Sequence, residues 1–178
     1  LFIKDGPLAF FGQTARLHLP MRNLCSFLFE NYDVLLVGLE KSGAFVEHAE
    51  EIKDMDSFKL GHAYLLNNKH IYKYILPGDP DTPNPYANTS YYSSKLIFKS
   101  RQGRMHVITL PVENENIVLN PEKLDFKNID VILDNIEKLR CDMYDNSIIP
   151  VALANKLISL SNHPSSILLE KFSKTFVK

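Results

Sequence analysis

An unbroken apolar run at residues 34–39 (VLLVGL) constrains the fold of this chain more than any other feature. Apolar and polar residues do not alternate there, which is typical of a strand that is covered on both faces of a parallel sheet. Residues 1–5 (LFIKD) predict an earlier strand, and apolar spacing over residues 21–28 predicts an amphipathic helix between the two. The apolar positions of that helix are Met21, Leu24, Cys25 and Leu28. Strand, helix and strand in this order indicate a parallel pair joined by a right-handed crossover.

The middle third of the chain changes character. Four segments there are rich in β-branched and aromatic residues, at residues 62–66, 69–76, 91–99 and 105–112. Asn67-Asn68 separates the first two segments and Arg101-Gln102-Gly103 the last two, so we expect two antiparallel hairpins. Residues 77–90 carry four prolines and are expected to form the loop between the hairpins.

The remaining segments predict helices. Residues 43–53 predict a short one, and three apolar stripes predict more in the last third of the chain. The stripes are Ile129, Ile132, Leu133, Ile136 and Leu139, then Val151, Ala154, Leu157 and Ile158, and last Leu168, Phe172 and Phe176. We therefore expect an α/β fold in a single domain over residues 1–178. Its mixed sheet is parallel near the start of the chain and antiparallel through the hairpins, with helices on both faces.

Composition excludes several classes of protein. The 178 residues carry 20 Lys and Arg against 21 Asp and Glu, so the chain is not a basic, histone-like coat for nucleic acid, although a local basic groove stays open. Two cysteines, Cys25 and Cys141, do not make a disulfide-rich secreted scaffold. No apolar run approaches the 18 residues of a membrane-spanning helix. We expect a cytoplasmic protein that does not bind membranes.

Two strand ends carry candidate ligands. Asp5 closes the first strand, where carboxylates of α/β sheets often hold Mg²⁺ or Mn²⁺, although an Asp-Gly pair also simply begins a turn. Glu40-Lys41-Ser42 follows the central strand at the edge where ligands of parallel sheets bind. Lys41 could meet a phosphate there and Glu40 could add a metal oxygen, and a solvated loop end is the alternative.

The hairpin region interleaves basic and aromatic residues. Lys95, Tyr91 and Tyr92 belong to this set, which suits single-stranded nucleic acid but also suits the solvated face of an antiparallel sheet. The six histidines show no metal-ligand spacing, which disfavours a zinc site. The sequence contains no nucleophile elbow, Walker loop or dinucleotide fingerprint, which argues against serine hydrolases, P-loop NTPases and dinucleotide enzymes.

Four segments of the chain stand in the order of the motifs of one known family. They are residues 2–8 (FIKDGPL), 36–42 (LVGLEKS), 58–78 and 146–156 (NSIIPVALANK). The first resembles the second acidic motif of the NurA nuclease family, and the second is similar to the central strand and loop of that family. The third matches the hairpin before the variable loop of bacterial members. The last resembles the C-terminal motif, in which a proline precedes a helix that carries Ala-His or Ala-Asn.

The resemblance implies an RNase H-like fold and a Mn²⁺-dependent (or Mg²⁺-dependent) DNA nuclease. Such nucleases act as dimers beside a hexameric HerA-type ATPase in DNA end processing and repair. Asp5 would be a metal ligand, Lys41 a phosphate contact and Asn155 a third catalytic residue. Lys95 would guide the DNA strand, and Tyr91 or Tyr92 would stack on a base.

Two departures from the family pattern leave alternatives open. The partner carboxylates of the family lie upstream of the residue that matches Asp5, so we expect this chain to lack the first strand and first acidic motif. Asn155 stands where many members have His, and Asn cannot act as a general base near neutral pH, although it can orient water or substrate. The chain could therefore be a non-catalytic assembly module that docks an ATPase or dimerises. An unrelated α/β domain, in which Asp5-Gly6 is only a turn, is the third possibility.

Overall fold

The structure, a computed structural model, describes residues 1–9, 16–82, 94–110, 128–141 and 148–162, with side chains through residue 158 in the last range. The helices and strands, in chain order, are β1 (Phe2–Asp5), α1 (His18–Tyr32), β2 (Leu36–Glu40), α2 (Ala44–Glu51), β3 (Ala63–Leu66), α3 (Asn68–His70), β4 (Ser94–Lys99), β5 (Met105–Leu110), α4 (Ile129–Lys138) and α5 (Ile149–Asn162). A π-helical turn, Ile71–Ile75, continues α3 directly.

The described strands form one five-stranded mixed sheet in the order β1-β2-β5-β4-β3. β1 and β2 pair in parallel, with Asp5 opposite Leu39, and α1 connects them. The other three pairings are antiparallel. The predictions of a parallel start and of a hairpin around Arg101-Gln102-Gly103 are therefore confirmed.

Helices cover both faces of this sheet, as predicted. On one face, α4 and α5 pack through Ile132, Ile136 and Val151 onto alternate residues of β2, β4 and β5. On the opposite face, α2 and the segment after α3 pack through Phe45, Val46 and Ile71. We call these the α4/α5 face and the α2 face. Leu39 and Ile108 belong to the first, and Ile97 and Val107 to the second, because successive strand residues point to opposite sides.

The prediction of a strand at residues 69–76 is wrong. This segment forms α3 and the π-helical turn instead, so β3 pairs directly with β4 and the first predicted hairpin does not exist. Asn67 begins the helix, because its side-chain oxygen accepts a hydrogen bond of 2.8 Å from the backbone N–H of His70. Asparagine serves both as a turn residue and as a helix cap. The buried Ile71 and the half-buried Ile75 are four apart, which is helical spacing.

The helices at residues 18–32, 44–51 and 129–138 agree with the predictions in type, but the last described helix turns a different face inward. On α5, Val151 is buried whereas Leu157 and Ile158 are exposed, and the inward side continues from Val151 to the half-buried Asn155. The third predicted stripe, with Leu168, Phe172 and Phe176, lies outside the described residues. Among the helices of the described ranges, none combines the length and the apolar character needed to cross a membrane.

Candidate functional site

Two of the predicted site residues lie together. Asp5 ends β1, Lys41 follows β2, and the Nζ atom of Lys41 donates a hydrogen bond of 2.8 Å to Oδ2 of Asp5. Their side chains are 43% and 31% exposed, so the pair is accessible from solvent. The carboxyl ends of adjacent parallel strands meet at one edge of a sheet, which is where ligands of such sheets bind. The structure thus brings a carboxylate and an ammonium group together at an edge of the sheet that a small charged group can approach.

The turn after Asp5 is held by several specific contacts. Gly6 has φ +89°, a backbone conformation that favours glycine, and its N–H donates to the carbonyl of Leu39 at 2.8 Å. Lys4 Nζ donates to the carbonyl of Pro7 at 2.7 Å. Leu8 is fully buried, and its N–H donates to Oγ1 of Thr109 at 3.1 Å. These contacts fix the end of β1 against the sheet and so fix the position of Asp5.

Gly38 on β2 lets this turn approach the sheet closely. A Cβ atom at that position would lie 2.3 Å from Oγ1 of Thr109, 2.5 Å from the carbonyl oxygen of Gly6 and 3.0 Å from the backbone nitrogen of Leu8. Two of these neighbours are backbone atoms, which cannot turn aside as a side chain can. The segment around Asp5 and the segment around Lys41 are therefore packed against each other through a single glycine.

Glu40 and Lys41 are neighbours in the chain but point to opposite faces of the sheet. Glu40 lies on the α2 face, where its Oε1 atom accepts a hydrogen bond of 2.5 Å from Nζ of Lys95. Lys95 Nζ also lies 3.5 Å from the centre of the Phe45 ring on α2. Glu40 is not part of a solvated loop end, and it has a structural partner of its own.

The prediction that Lys95 guides a DNA strand is corrected by its burial. Its side chain is only 3% exposed, so it presents no charge at the surface that DNA could reach. Burial lowers the pKa of Lys95, and the charge and hydrogen bond of Glu40 oppose that effect. Lys99, another basic residue of this region, donates to the carbonyls of Lys53 and Phe58. Basic residues of β4 thus support the packing of the α2 face.

No family model matches this chain, and neither a search of curated proteins nor a search of solved structures finds a match. The residues and their geometry therefore carry the functional argument.

The remaining predicted site residues are distributed as follows. By the alternation of β1, Asp5 points to the same side as Ile3, which packs against the α4/α5 face. Asn155 lies half-buried on α5, the helix that covers this face, so the two residues share one side of the sheet. That Asn155 contacts the Asp5 site stays a prediction. Tyr91 and Tyr92 lie outside the described residues.

Asp5 offers carboxylate oxygen, the ligand type that Mn²⁺ and Mg²⁺ prefer. Within the described ranges, however, no group of three or more His, Cys, Asp or Glu side chains is placed to hold a metal ion. The described residues therefore place Asp5 at this edge but supply no set of three such side chains that would complete a divalent metal centre. What they do provide is a fixed, accessible carboxylate with a lysine beside it.

A histidine pair on the α2 face was not predicted from the sequence. Nε2 of His48, on α2, lies 2.9 Å from Nε2 of His70, at the end of α3. The two residues are 22 positions apart, and no motif spacing joins them. The one sequence signal is the Asn67 cap, which predicts where a helix begins and hence which way His70 points.

Proposed function

We propose that this chain is part of a metal-dependent DNA nuclease of the NurA type, with an RNase H-like arrangement of its sheet. The observation that carries the proposal is the contact between Asp5 and Lys41 at the carboxyl ends of two adjacent parallel strands. Both residues stand in segments that resemble NurA motifs, residues 2–8 and 36–42. The close packing of these segments explains why each of them contains a glycine, Gly6 in the first and Gly38 in the second.

Lys41 is the residue of this pair that would contact DNA. An ammonium group binds phosphate as a point charge, and Lys41 is partly exposed while its carboxylate partner limits its movement. Asp5 would be one of several carboxylates around a Mn²⁺ or Mg²⁺ ion, with the others supplied from beyond the described residues. Asn155 would orient water or substrate through its amide, because Asn has no group that titrates near neutral pH.

The test is cleavage of end-labelled single- and double-stranded DNA by the full-length protein with Mn²⁺, with and without a HerA-type ATPase. Asp5→Asn removes the negative charge but keeps the size of the side chain. Asp54→Asn is the matched control, since Asp54 is exposed in the turn after α2. We expect Asp5→Asn to reduce the cleavage rate by at least about 100-fold, which is the usual effect of removing a group that stabilises the transition state directly. We expect Asp54→Asn to leave the rate unchanged.

Equal cleavage by the wild type and Asp5→Asn would show that Asp5 does not act in catalysis. Absence of cleavage by the wild type in every combination of metal and ATPase would refute the nuclease proposal. Lys41→Gln separates the two roles, because loss of a phosphate contact should raise KM and weaken the salt dependence of DNA binding more than it lowers kcat.

The second candidate, a non-catalytic assembly module, is favoured by a different observation. Several large apolar side chains of β1 and α1 are exposed, which is typical of surfaces that contact other proteins. They are Phe2, Leu19, Leu24, Phe27 and Tyr32. An ATPase or a second copy of this chain would bury them.

This second candidate is tested by the mass of the protein in solution, alone and with the ATPase. Leu24→Asp and Phe27→Asp place charges on the exposed side of α1 and should abolish the association while the protein stays folded. Met55→Asp is the control, because Met55 is an exposed apolar residue in the segment after α2, outside β1 and α1, and the change adds the same single negative charge. If the wild type and the variants are all monomers and none of them binds the ATPase, this candidate is excluded.

A further inference from the structure

The pair formed by His48 and His70 lies on the α2 face, whereas Asp5 points to the opposite side of the sheet. Its imidazole rings meet edge to face, with centroids 5.0 Å apart and Nε2 atoms 2.9 Å apart. His48 is buried and His70 is half-buried, so the pair is reached from solvent on the His70 side. Two imidazoles that meet through nitrogen atoms, at the edge of a core, form a distinct chemical site.

Each ring has a polar side chain near its Nδ1 atom, the ring nitrogen that does not take part in the contact between the two histidines. Nδ1 of His70 lies 3.2 Å from the hydroxyl oxygen of Tyr64. Nδ1 of His48 makes no hydrogen bond among the described residues, but Oε2 of Glu51 lies 3.4 Å away. The Glu51 side chain is 72% exposed and can turn toward that nitrogen. Metal-binding histidines almost always have such a partner on the ring nitrogen that does not bind the metal.

We propose that His48 and His70 form a two-histidine site for a borderline divalent transition-metal ion such as Zn²⁺, Co²⁺ or Ni²⁺. The two Nε2 atoms would bind the ion, while Nδ1–H of His48 donates to Glu51 and Nδ1–H of His70 donates to Tyr64. Water would complete the coordination. Imidazole nitrogen suits these ions, whereas Mn²⁺ and Mg²⁺ prefer oxygen, so this site is separate from the carboxylate edge at Asp5.

The distance between the two nitrogen atoms is close to the distance that a bound ion requires, and small rotations of the rings would point both atoms at the ion. Two imidazole nitrogens bound tetrahedrally, with Zn–N bonds of about 2.0–2.1 Å, lie about 3.3 Å apart. Opening the present separation of 2.9 Å by a few tenths of an ångström reaches that value. Tyr74 packs on His70 with ring centroids 4.9 Å apart, so its movement would control access to the pair.

The protonation states also suit a metal. Metal ligation needs neutral imidazoles. Burial, reinforced by His48, lowers the pKa of His70, so its ring is neutral at pH 7. Burial also raises the pKa of Tyr64, which keeps its hydroxyl neutral and able to accept a hydrogen bond from His70. Without metal, one ring must donate and the other accept across the Nε2 contact. On metal binding that proton moves from Nε2 to Nδ1 of the same ring, which makes both Nε2 atoms available to the ion.

The experiment is calorimetric titration of the metal-free protein with Zn²⁺ at pH 7.5, supported by Co²⁺ absorption spectra. We expect about one equivalent bound, unaffected by excess Mg²⁺. His70→Gln should abolish this binding, and Glu51→Gln should weaken it about tenfold, as loss of a supporting hydrogen bond does. His62→Ala, at an exposed histidine, is the control and should bind as the wild type does.

His70 is half-buried and its replacement should leave the fold intact, which circular dichroism checks. His48→Gln is the second variant, and if it fails to fold, His70→Gln decides alone. Absence of stoichiometric binding by the wild type overturns the proposal, as does undiminished binding by His70→Gln. Asp5→Asn should bind Zn²⁺ normally, so the outcome is independent of the nuclease proposal.

Discussion

Lys95 Nζ lies 2.5 Å from Oε1 of Glu40, and the two side chains are only 3% and 8% exposed. The ammonium group also lies 3.5 Å from the centre of the Phe45 ring, so α2 closes over the pair. Removing one partner of an ion pair that is withdrawn from water in this way is strongly destabilising, because the charge that remains is buried without its opposite charge.

The first prediction concerns that pair. Glu40→Gln should lower the free energy of unfolding by about 3–5 kcal/mol, since it removes the negative charge that compensates the buried ammonium group of Lys95. Urea denaturation measures the loss. Glu50→Gln is the matched control, because Glu50 forms a partly exposed pair with Lys53 and should cost less than about 1 kcal/mol. The double variant Glu40→Leu/Lys95→Met should be more stable than Glu40→Gln, and equal stability would contradict this account.

The second prediction concerns the close approach at Gly38. Gly38→Ala should destabilise the protein by about 1–3 kcal/mol, the usual cost of overpacking, because the new methyl group meets Gly6, Leu8 and Thr109. Thr109→Ala should not rescue it, since the carbonyl oxygen of Gly6 stays in the way. Thermal unfolding of the single and double variants measures both effects. If Gly38→Ala does not change the stability, then β1 and the turn after it can move away from β2 at no cost in free energy.

The third prediction is an acid destabilisation from His106. This residue is buried on β5, opposite Phe98, and among the described residues neither of its ring nitrogens has a hydrogen-bond partner. Burial, with a smaller effect of Arg104, lowers the pKa of His106 from 6.5 to about 4. The unfolded chain therefore binds the proton first as the pH falls. The contribution of neutral His106 to the free energy of unfolding is fully present above pH 6.5. It is lost progressively as the pH falls to about 4, by about 3 kcal/mol in total.

Unfolding by urea at several pH values measures this dependence. His106→Leu removes the titrating group and should flatten the slope between pH 6.5 and 4. It should also raise stability at neutral pH by about 1–3 kcal/mol, because it removes buried polar atoms that have no partner. His62→Gln, at an exposed position, should leave the slope as it is. An unchanged slope in His106→Leu would refute the assignment.

The fourth prediction concerns the cap of α3. Asn67→Ala should cost about 1 kcal/mol, because it removes the acceptor for the backbone N–H of His70. Asn67→Asp should retain most of the stability, since it keeps an oxygen at the same place. Chemical denaturation compares the two. If Ala and Asp behave alike, the side-chain oxygen of Asn67 does not stabilise this helix.

The fifth prediction separates function from folding at the carboxylate edge. Asp5 and Lys41 are both partly exposed, so Asp5→Asn should change the free energy of unfolding by less than about 1 kcal/mol. Denaturation of the same samples used for cleavage makes the comparison direct. A large loss of stability would indicate that the carboxylate supports the fold, and any loss of cleavage would then need another explanation.

Local patterns in the sequence predicted the elements that depend on local physics. The continuous apolar run at residues 34–39 predicted β2, an inner strand of the sheet, and Asp5-Gly6 and Lys41 were placed at the carboxyl ends of neighbouring strands. Their contact follows from parallel pairing, which the strand–helix–strand pattern already implied. Residues 69–76 were misassigned, because β-branched and aromatic composition outweighed the four-residue spacing of Ile71 and Ile75.

The sequence by itself therefore determined the order of most strands and helices and the edge at which Asp5 and Lys41 meet. Only the tertiary structure decided that Lys95 is buried against Glu40, 55 residues away, and that His48 meets His70. The physical reason is that burial depends on which strands pair and in what register, and on which helix covers each face. Hydrophobic periodicity reports which side of an element is apolar, but it carries no information on which distant side chain lies opposite.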